Sequence, residues 1–383
     1  MSLLTIGLSY GLYKGILDNY LAEIVQMNEF DRGVTEFFRE LPGFLLIFIL
    51  AFLCSLSAEK IFKIGGFIML AGILLISVMP ASKVLVIMAI LIYSTGEHIQ
   101  LGMKNTLSLE YSKPGHGGAS LGIQNSLSNL GNIAGYIIVT IIFLLAGKES
   151  TFRAVFFVSA MILLVGMIVS LKMHAESKSD EQKRRFYFNK KYSKYYMLEI
   201  FYGARKQIFF TFGPYVLILF YGADASIISA LFALSAVSCF LLAPVVGRII
   251  DKVGYKIVMV MDTLILIIVC FFYGFAHHIF PRNIAFIICC INYILDSIIS
   301  LASMASNVYV QDISDSPEEV RATINTGISV NHLISILIAL FGGWIWKTTG
   351  IEILFTLSAI LGLINSLYAA TIKTSKHNKQ IEK

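Results

Sequence analysis

Glu97 and His98 stand side by side in the stretch IYSTGEHIQLGMKN (92–105), and Lys104 follows two turns later. A carboxyl, an imidazole and an ammonium group so close together can trade a proton, because burial and neighbouring charge set how tightly each holds it. At 3.6 residues per turn, Tyr93, Glu97, Gln100 and Lys104 share one helix face, with His98 beside them. The same period aligns Tyr293, Asp296, Ser300, Ser303 and Asn307, then Asn325, Ser329, His332 and Ser335, and also Gln124, Asn125, Ser128 and Asn132. Lys14 and Asp18 lie one turn apart, and Arg205 precedes Lys206. Glu97, His98, Asp296 and Asp18, with Lys104 to modulate them, are therefore the candidates to carry protons. Lys14, Tyr10, Gln100, Asn125, Tyr202, Arg205, Lys206, Asn307 and His332 are the candidates to hold a small ligand. Plainer readings stand beside these: Lys14–Asp18 as an intrahelical ion pair, Asp296, His98 and His332 as packing hydrogen bonds, Tyr10 and Tyr202 as core, and Glu36, Arg39 and Glu40 as a gate or interfacial network.

The elements that must position these groups are strongly apolar. Of 383 residues 57% are hydrophobic and only 14% charged, with a mean hydropathy of +0.76; soluble domains carry about 25% charged residues. This composition fits an all-α chain that crosses a membrane many times. Runs long enough for about 30 Å of hydrocarbon are expected near 2–26, 33–56, 64–80, 83–110, 117–146 and 153–172, and again near 195–221, 225–247, 257–276, 284–311, 320–346 and 351–372. These twelve spans form two six-helix halves, 1–173 and 195–373, joined by a basic linker over 174–194 and followed by a polar tail over 374–383. No signal-peptide cleavage site follows the first run, which reads as the first span. With both termini inside, nineteen Lys and Arg fall in inside segments and six in outside loops, so the termini are expected in the cytoplasm. The net charge of +6 is spread over these loops, which argues against nucleic acid as a partner. The five cysteines lie in apolar runs without metal-ligand spacing and read as small core residues. No metal or cofactor is expected.

The halves repeat each other. SYGLYKG (9–15) aligns with FYGARKQ (201–207) at an offset of 192, matching Tyr10 to Tyr202, Gly11 to Gly203 and Lys14 to Lys206; the same offset pairs Glu59 with Asp251 and Lys60 with Lys252. The repeat favours Lys206 as deeper than Arg205, while Arg205 has the better fork for a carboxylate or phosphate.

Between the eighth and ninth spans, GRIIDKVGYK carries Gly247, Arg248, Asp251, Lys252, Gly254 and Lys256. With the 6+6 layout and the repeat, this chain resembles the major facilitator superfamily over nearly its whole length. The six residues fit that family's Gly-x-x-x-Asp-Arg/Lys-x-Gly-x-Arg/Lys loop, and the resemblance makes them a conformational latch. The first-half copy, SLSAEKIFKIGG, has Glu in place of Asp and lacks the first glycine, and GNIAG (131–135) lacks the proline of many of the family's antiporters. The resemblance further implies that the third, sixth, ninth and twelfth helices are outer supports. Their sequences agree: IGGFIMLAGILLISVM, VFFVSAMILLVGMIV and ILFTLSAILGLINSLYAA contain no charge, and the ninth has one, Asp262, near its cytoplasmic end.

What the resemblance implies is a secondary active transporter moving a small solute by alternating access. Protons are the expected coupling ion. Deep cations (Lys14, Lys104, Arg205, Lys206) outnumber deep acids (Asp18, Glu97, Asp296), which favours an organic anion or zwitterion. Alternatives are efflux of a lipophilic cation, drug or metal in exchange for protons, and a non-transporting receptor. An enzyme is not expected, since no His-Glu-x-x-His helix or Gly-x-Ser-x-Gly elbow occurs. The expected setting is a monomer in contact with membrane lipids, multi-pass in a cell membrane of prokaryotic inner-membrane type.

Overall fold

A computed structural model describes residues 1–53, 55–113, 116–173 and 188–373. Most of the basic linker and the tail over 374–383 lie outside the described residues. The described chain is helical without strands: α1 (Ser2–Asn19), α2 (Glu29–Phe52), α3 (Ala58–Val78), α4 (Lys83–Glu110), α5 (Gly117–Ala146), α6 (Glu149–Leu171), α7 (Ser193–Tyr221), α8 (Ala225–Val253), α9 (Tyr255–Ile279), α10 (Arg282–Ile299), α11 (Met304–Ile313), α12 (Pro317–Thr349) and α13 (Ile351–Ala370). The count is thirteen rather than twelve, because a 3-10 turn over Ser300–Ser303 divides the expected tenth span into α10 and α11. A 3-10 turn winds three residues per turn instead of 3.6. Below it the expected stripe therefore drifts, and Ser306 is buried while Asn307 is exposed.

Nine stretches of the described residues, counting Arg282–Ile313 as one, are long and apolar enough to cross a membrane. The expected spans outside that set are α1, α2 and α7. These hold Lys14, Asp18, Glu36, Arg39, Glu40, Glu199, Arg205 and Lys206, and the charges lower their hydropathy.

The helices group into two compact units. The first holds α1, most of α2, α3 to α6, and the Gly222–Ala233 segment at the start of α8; the second holds α7, the remainder of α8, α9 to α13, and Glu29–Val34 at the start of α2. In the first unit α1 lies against α5 through glycines. A Cβ at Gly7 or Gly11 would strike the backbone of Ser128 or Asn132, and one at Gly135 would sit 2.7 Å from Gly11 Cα. Gly7-x-x-x-Gly11 and Gly131-x-x-x-Gly135 thus let two backbones touch, the small-residue packing that membrane helices use in place of hydrophobic burial. The Ser9 and Ser159 hydroxyls, 2.9 Å apart, tie α1 to α6, and the Asn19 amide reaches the Ala223 carbonyl at 2.9 Å. In the second unit Gly203 plays the part of Gly11, its missing Cβ leaving room for Asn331 of α12.

Helix ends follow local chemistry. Ser316 caps α12 by accepting from Glu319 N at 3.2 Å, with Pro317 in the first turn. Gly254 alone joins α8 to α9, at a φ of +87° that suits glycine. The expected 248–256 loop is thereby shortened to one residue, and Gly247, Arg248, Asp251 and Lys252 belong to the last turns of α8.

A tyrosine–carboxylate bond recurs in each unit. In the first, Tyr111 past the end of α4 donates to Glu59 at the start of α3. In the second, Tyr255 at the start of α9 donates to Asp312 at the end of α11, at 2.9 Å. Donor and acceptor have exchanged elements, while the partnership between third and fourth helices of each half persists. Burial and the Glu59 carboxylate push the Tyr111 phenol above its usual range.

Candidate functional site

The first unit builds a charged centre around Arg39, halfway along α2. Its guanidinium donates to Glu36 Oε1 at 2.6 and 3.0 Å and to Glu40, and Nη1 stands 4.0 Å from Glu97 Oε2 on α4. Glu36 is fully buried, Glu40 nearly so, and Glu97 half-buried. The Arg39 carbonyl accepts from Ser94, whose hydroxyl also lies 3.1 Å from His98 Nδ1, so α2 and α4 are bound through main chain as well as charge. Glu36, Arg39 and Glu40 are therefore part of the Glu97 centre rather than a separate network. Lys14 pairs with Asp18 at 2.8 Å in the same unit, and its charge reaches Glu97. Tyr10 lies in the field of Glu97, Arg39, Glu36 and Asp18. The Tyr13 and Tyr93 rings, 4.2 Å apart, close the centre, and both hydroxyls are buried without a hydrogen-bond partner among the described residues.

Other expected residues of this half are dispersed. Lys104 Nζ lies 3.5 Å from Ser128 Oγ of α5, so the cation beside Glu97 is Arg39, not Lys104. Gln100 turns to the Phe62 carbonyl of α3, at 3.3 Å, and toward Met167 of α6. Asn125 is exposed; Gln124 is the buried amide and donates to Asn105 at 2.9 Å.

The second unit holds a second centre, on α7. Arg205 is 1% exposed, whereas Lys206 is exposed. The guanidinium lies over the Tyr202 ring, 5.2 Å from its centroid, and Nη1 approaches Asp262 Oδ2 of α9 to 3.2 Å. That approach is off the N–H direction, so among the described residues Nη1 and Nη2 both lack a hydrogen-bond acceptor. The pair neutralises charge and leaves the donor fork open. Tyr202 donates to the Ser300 carbonyl at 3.0 Å, which holds the ring against the 3-10 turn. Asp296, buried on α10 one turn above that bend, feels the charges of Arg205 and Lys206 and has no hydrogen bond or ion pair among the described residues. His332 is half-buried on α12.

Two residues of this centre, Glu199 and Asp262, are not among the site residues expected from the sequence. Glu199, two turns before Lys206, is buried and accepts from Ser306 at 2.9 Å and Asn331 at 3.4 Å. Its signal was a lone acid inside an apolar helical run, obscured by its nearness to the expected start of the span. Asp262 carries the counter-charge of Arg205, so α9 is more than an apolar support. With Arg39, Glu36, Glu40, Glu199 and Asp262 included, the deep acids outnumber the deep cations, and the charge count no longer favours an anion. The latch residues Arg248, Asp251 and Lys252 are exposed, and no side chain or backbone stands within 4 Å of a Cβ built on Gly247.

These two centres lie in a fold with known relatives. The chain belongs to the Major Facilitator Superfamily, whose model matches residues 1–326 and 195–383. It is thus a multi-pass membrane protein of the secondary-transporter class. Compared by sequence with curated proteins, it matches none. Among solved structures it is similar to the nucleoside transporter NupG (TM-score 0.76, 16% identity, covering 97% of this chain and 98% of that one). It is also similar to a peptide transporter POT in complex with sulfate (0.72, 13%, 96% and 92%) and to a bacterial homolog of the human lysosomal transporter Spinster (0.69, 12%, 96% and 93%). Identities this low speak for the fold.

Proposed function

We propose that the chain is a proton-coupled transporter of a small solute bearing an anionic or zwitterionic group. Arg205 carries this reading: it is a buried guanidinium whose two terminal nitrogens have no hydrogen-bond acceptor among the described residues. Leaving buried charged donors unsatisfied costs about 1–3 kcal/mol or more, a cost that an incoming carboxylate or phosphate removes by accepting from the fork. Tyr202 holds the guanidinium plane, Asp262 neutralises it between cycles, and the exposed Lys206 meets the solute first. The acid-rich centre around Arg39 is the coupling site. Glu97 is the outermost of three carboxyls sharing one guanidinium, so it is the one that trades the Arg39 contact for a proton. Asp296 and Glu199 are the corresponding acids of the second unit, with His98, Asp18 and Lys104 supporting the first.

The remaining expectations belong to the same proposal. α1, α2 and α7 cross the membrane with the nine apolar stretches, both termini are cytoplasmic, and the protein works as a monomer among membrane lipids, of prokaryotic inner-membrane type. The 1–173 and 195–373 halves rock about a midplane site, and the Gly247–Lys256 residues latch one state. The excess of acids in the first unit favours a second reading, exchange of a lipophilic cation for protons. Proteoliposomes with an imposed pH gradient separate the two. Uptake of an anionic or zwitterionic solute, lost in Lys206→Ala and in the paired Arg205→Gln/Asp262→Asn variant, supports the first. Proton release driven only by organic cations, indifferent to both variants, replaces it with the second.

A further inference from the structure

Away from both centres, α9 ends in adjacent histidines, His277 and His278, and the first turn of α13 brings Glu352 to them. Glu352 Oε1 lies 3.2 Å from His277 Nε2 and 2.8 Å from His278 Nε2, and the three donor atoms all lie within 4.8 Å of one another. Neighbouring residues on a helix point about 100° apart, so helical periodicity alone does not bring two adjacent imidazoles to one oxygen. Here both rings turn toward Glu352, with centroids 3.9 Å apart. The Phe220 ring, 5.1 Å away, walls His277 from the α7 side. Gly350, at a φ of +97°, ends α12 and sets the start of α13 under the pair.

Two imidazole nitrogens and one carboxylate oxygen form the donor set of three-ligand zinc sites, with the fourth position left to water. Tetrahedral coordination at bond lengths of about 2.0–2.2 Å places donor atoms about 3.3–3.6 Å apart; the His277–Glu352 separation of 3.2 Å nearly matches this, and the His278–Glu352 contact of 2.8 Å would open slightly around an ion. His278 is more than half exposed, giving an ion a route in and a water its place. The site is about 22 Å along α9 from Asp262, by the rise of 1.5 Å per residue, and does not depend on the transport reading. We propose that His277, His278 and Glu352 bind a divalent transition cation of the Zn²⁺ type, which clamps the end of α9 to the start of α13.

The test uses full-length, tag-free protein in detergent, stripped with EDTA and titrated with ZnCl₂ against a chromophoric chelator. The expected result is one zinc equivalent per chain that is weakened at least about tenfold in both His278→Ala and Glu352→Gln, while His116→Ala leaves it intact. Zinc should raise the melting midpoint of the wild type and of neither variant. Because His278 is exposed, its replacement should leave the metal-free melting midpoint near wild type. Absence of a stoichiometric zinc equivalent, or wild-type affinity in either variant, overturns the proposal.

Discussion

At the scale of single residues, the decisive contrast lies between neighbours. Arg205 and Lys206 are adjacent, yet one is buried against Tyr202 and Asp262 and the other is open. A pair 100° apart on one helix cannot share an environment, and the buried member is the one whose planar fork matches a carboxylate. Glu97 and Glu199 differ in a comparable way: Glu97 faces a cation shared with two other acids, while Glu199 is held by a hydroxyl and an amide. Two predictions belong here. Glu97→Gln should abolish accumulation driven by a pH gradient and leave solute exchange across the membrane near the wild-type rate, measured in the same proteoliposomes. If gradient-driven accumulation persists, coupling lies elsewhere. Glu199→Gln keeps an oxygen for Ser306 and gives up only the longer bond from Asn331, whose amide donor would meet the new amide nitrogen, so it should melt within about 1 kcal/mol of wild type. Ser306→Ala takes the donor from Oε1 and leaves the carboxyl only the longer Asn331 bond, which should cost about 1–3 kcal/mol, measured as a denaturation difference in detergent.

At the scale of elements, glycine contacts and terminal bonds determine which helices can be neighbours. Gly135→Ala should lower stability by about 1–3 kcal/mol, the range for overpacking, because the new methyl meets the main chain of α1 at 2.7 Å. Gly247→Ala is the informative control. Nothing stands within 4 Å of the added carbon, and alanine favours the helix by about 0.5–1 kcal/mol, so stability should hold or rise. If Gly247 serves the latch by admitting another element in a second state, transport should slow all the same; an unchanged rate removes it from the latch. The Tyr111–Glu59 bond gives a pH test. Its phenol is raised above the usual tyrosine range, so its contribution is present below the unfolded value near 10 and is lost as pH rises through the folded value. Tyr111 is exposed on one side, which discounts the bond to about 1 kcal/mol or less. Tyr111→Phe should therefore lower the melting midpoint slightly and equally from pH 6 to 9, with the difference closing only at stronger alkalinity.

For the whole molecule, the sequence repeat and the structure agree about backbones and part over charges. Gly11 and Gly203, matched by the 192-residue offset, each serve a close helix contact, α1 on α5 and α7 on α12. Lys14 and Lys206, matched by the same offset, do not correspond in environment: the first is buried on Asp18 and the second exposed. A close helix contact needs its glycine in both units, whereas each charge takes the partner that its own unit supplies. Orientation is the prediction at this scale. Nineteen inside cations against six outside call for cytoplasmic termini, so a C-terminal fluorescent-protein fusion should fluoresce in cells and a C-terminal alkaline phosphatase fusion should be inactive. The opposite pair of results reverses the topology.

Composition and period alone determined that this chain is all helix and rich in membrane-crossing stretches, while the GRIIDKVGYK loop and the internal echo carried its resemblance to a transporter superfamily. The first two properties follow from transfer free energies and a 3.6-residue repeat, which depend on local sequence. The Lys14–Asp18 pair was legible for the same reason, both partners lying on one turn. The tertiary structure decided which cation answers which acid. Arg39 rather than Lys104 stands beside Glu97, Asp262 answers Arg205 from a helix that read as support, and a single 3-10 turn buries Ser306 where the period pointed to Asn307. Each of these depends on how one helix is rotated against another. A Coulomb contact between helices is set by that rotation, which spacing within a single helix does not encode.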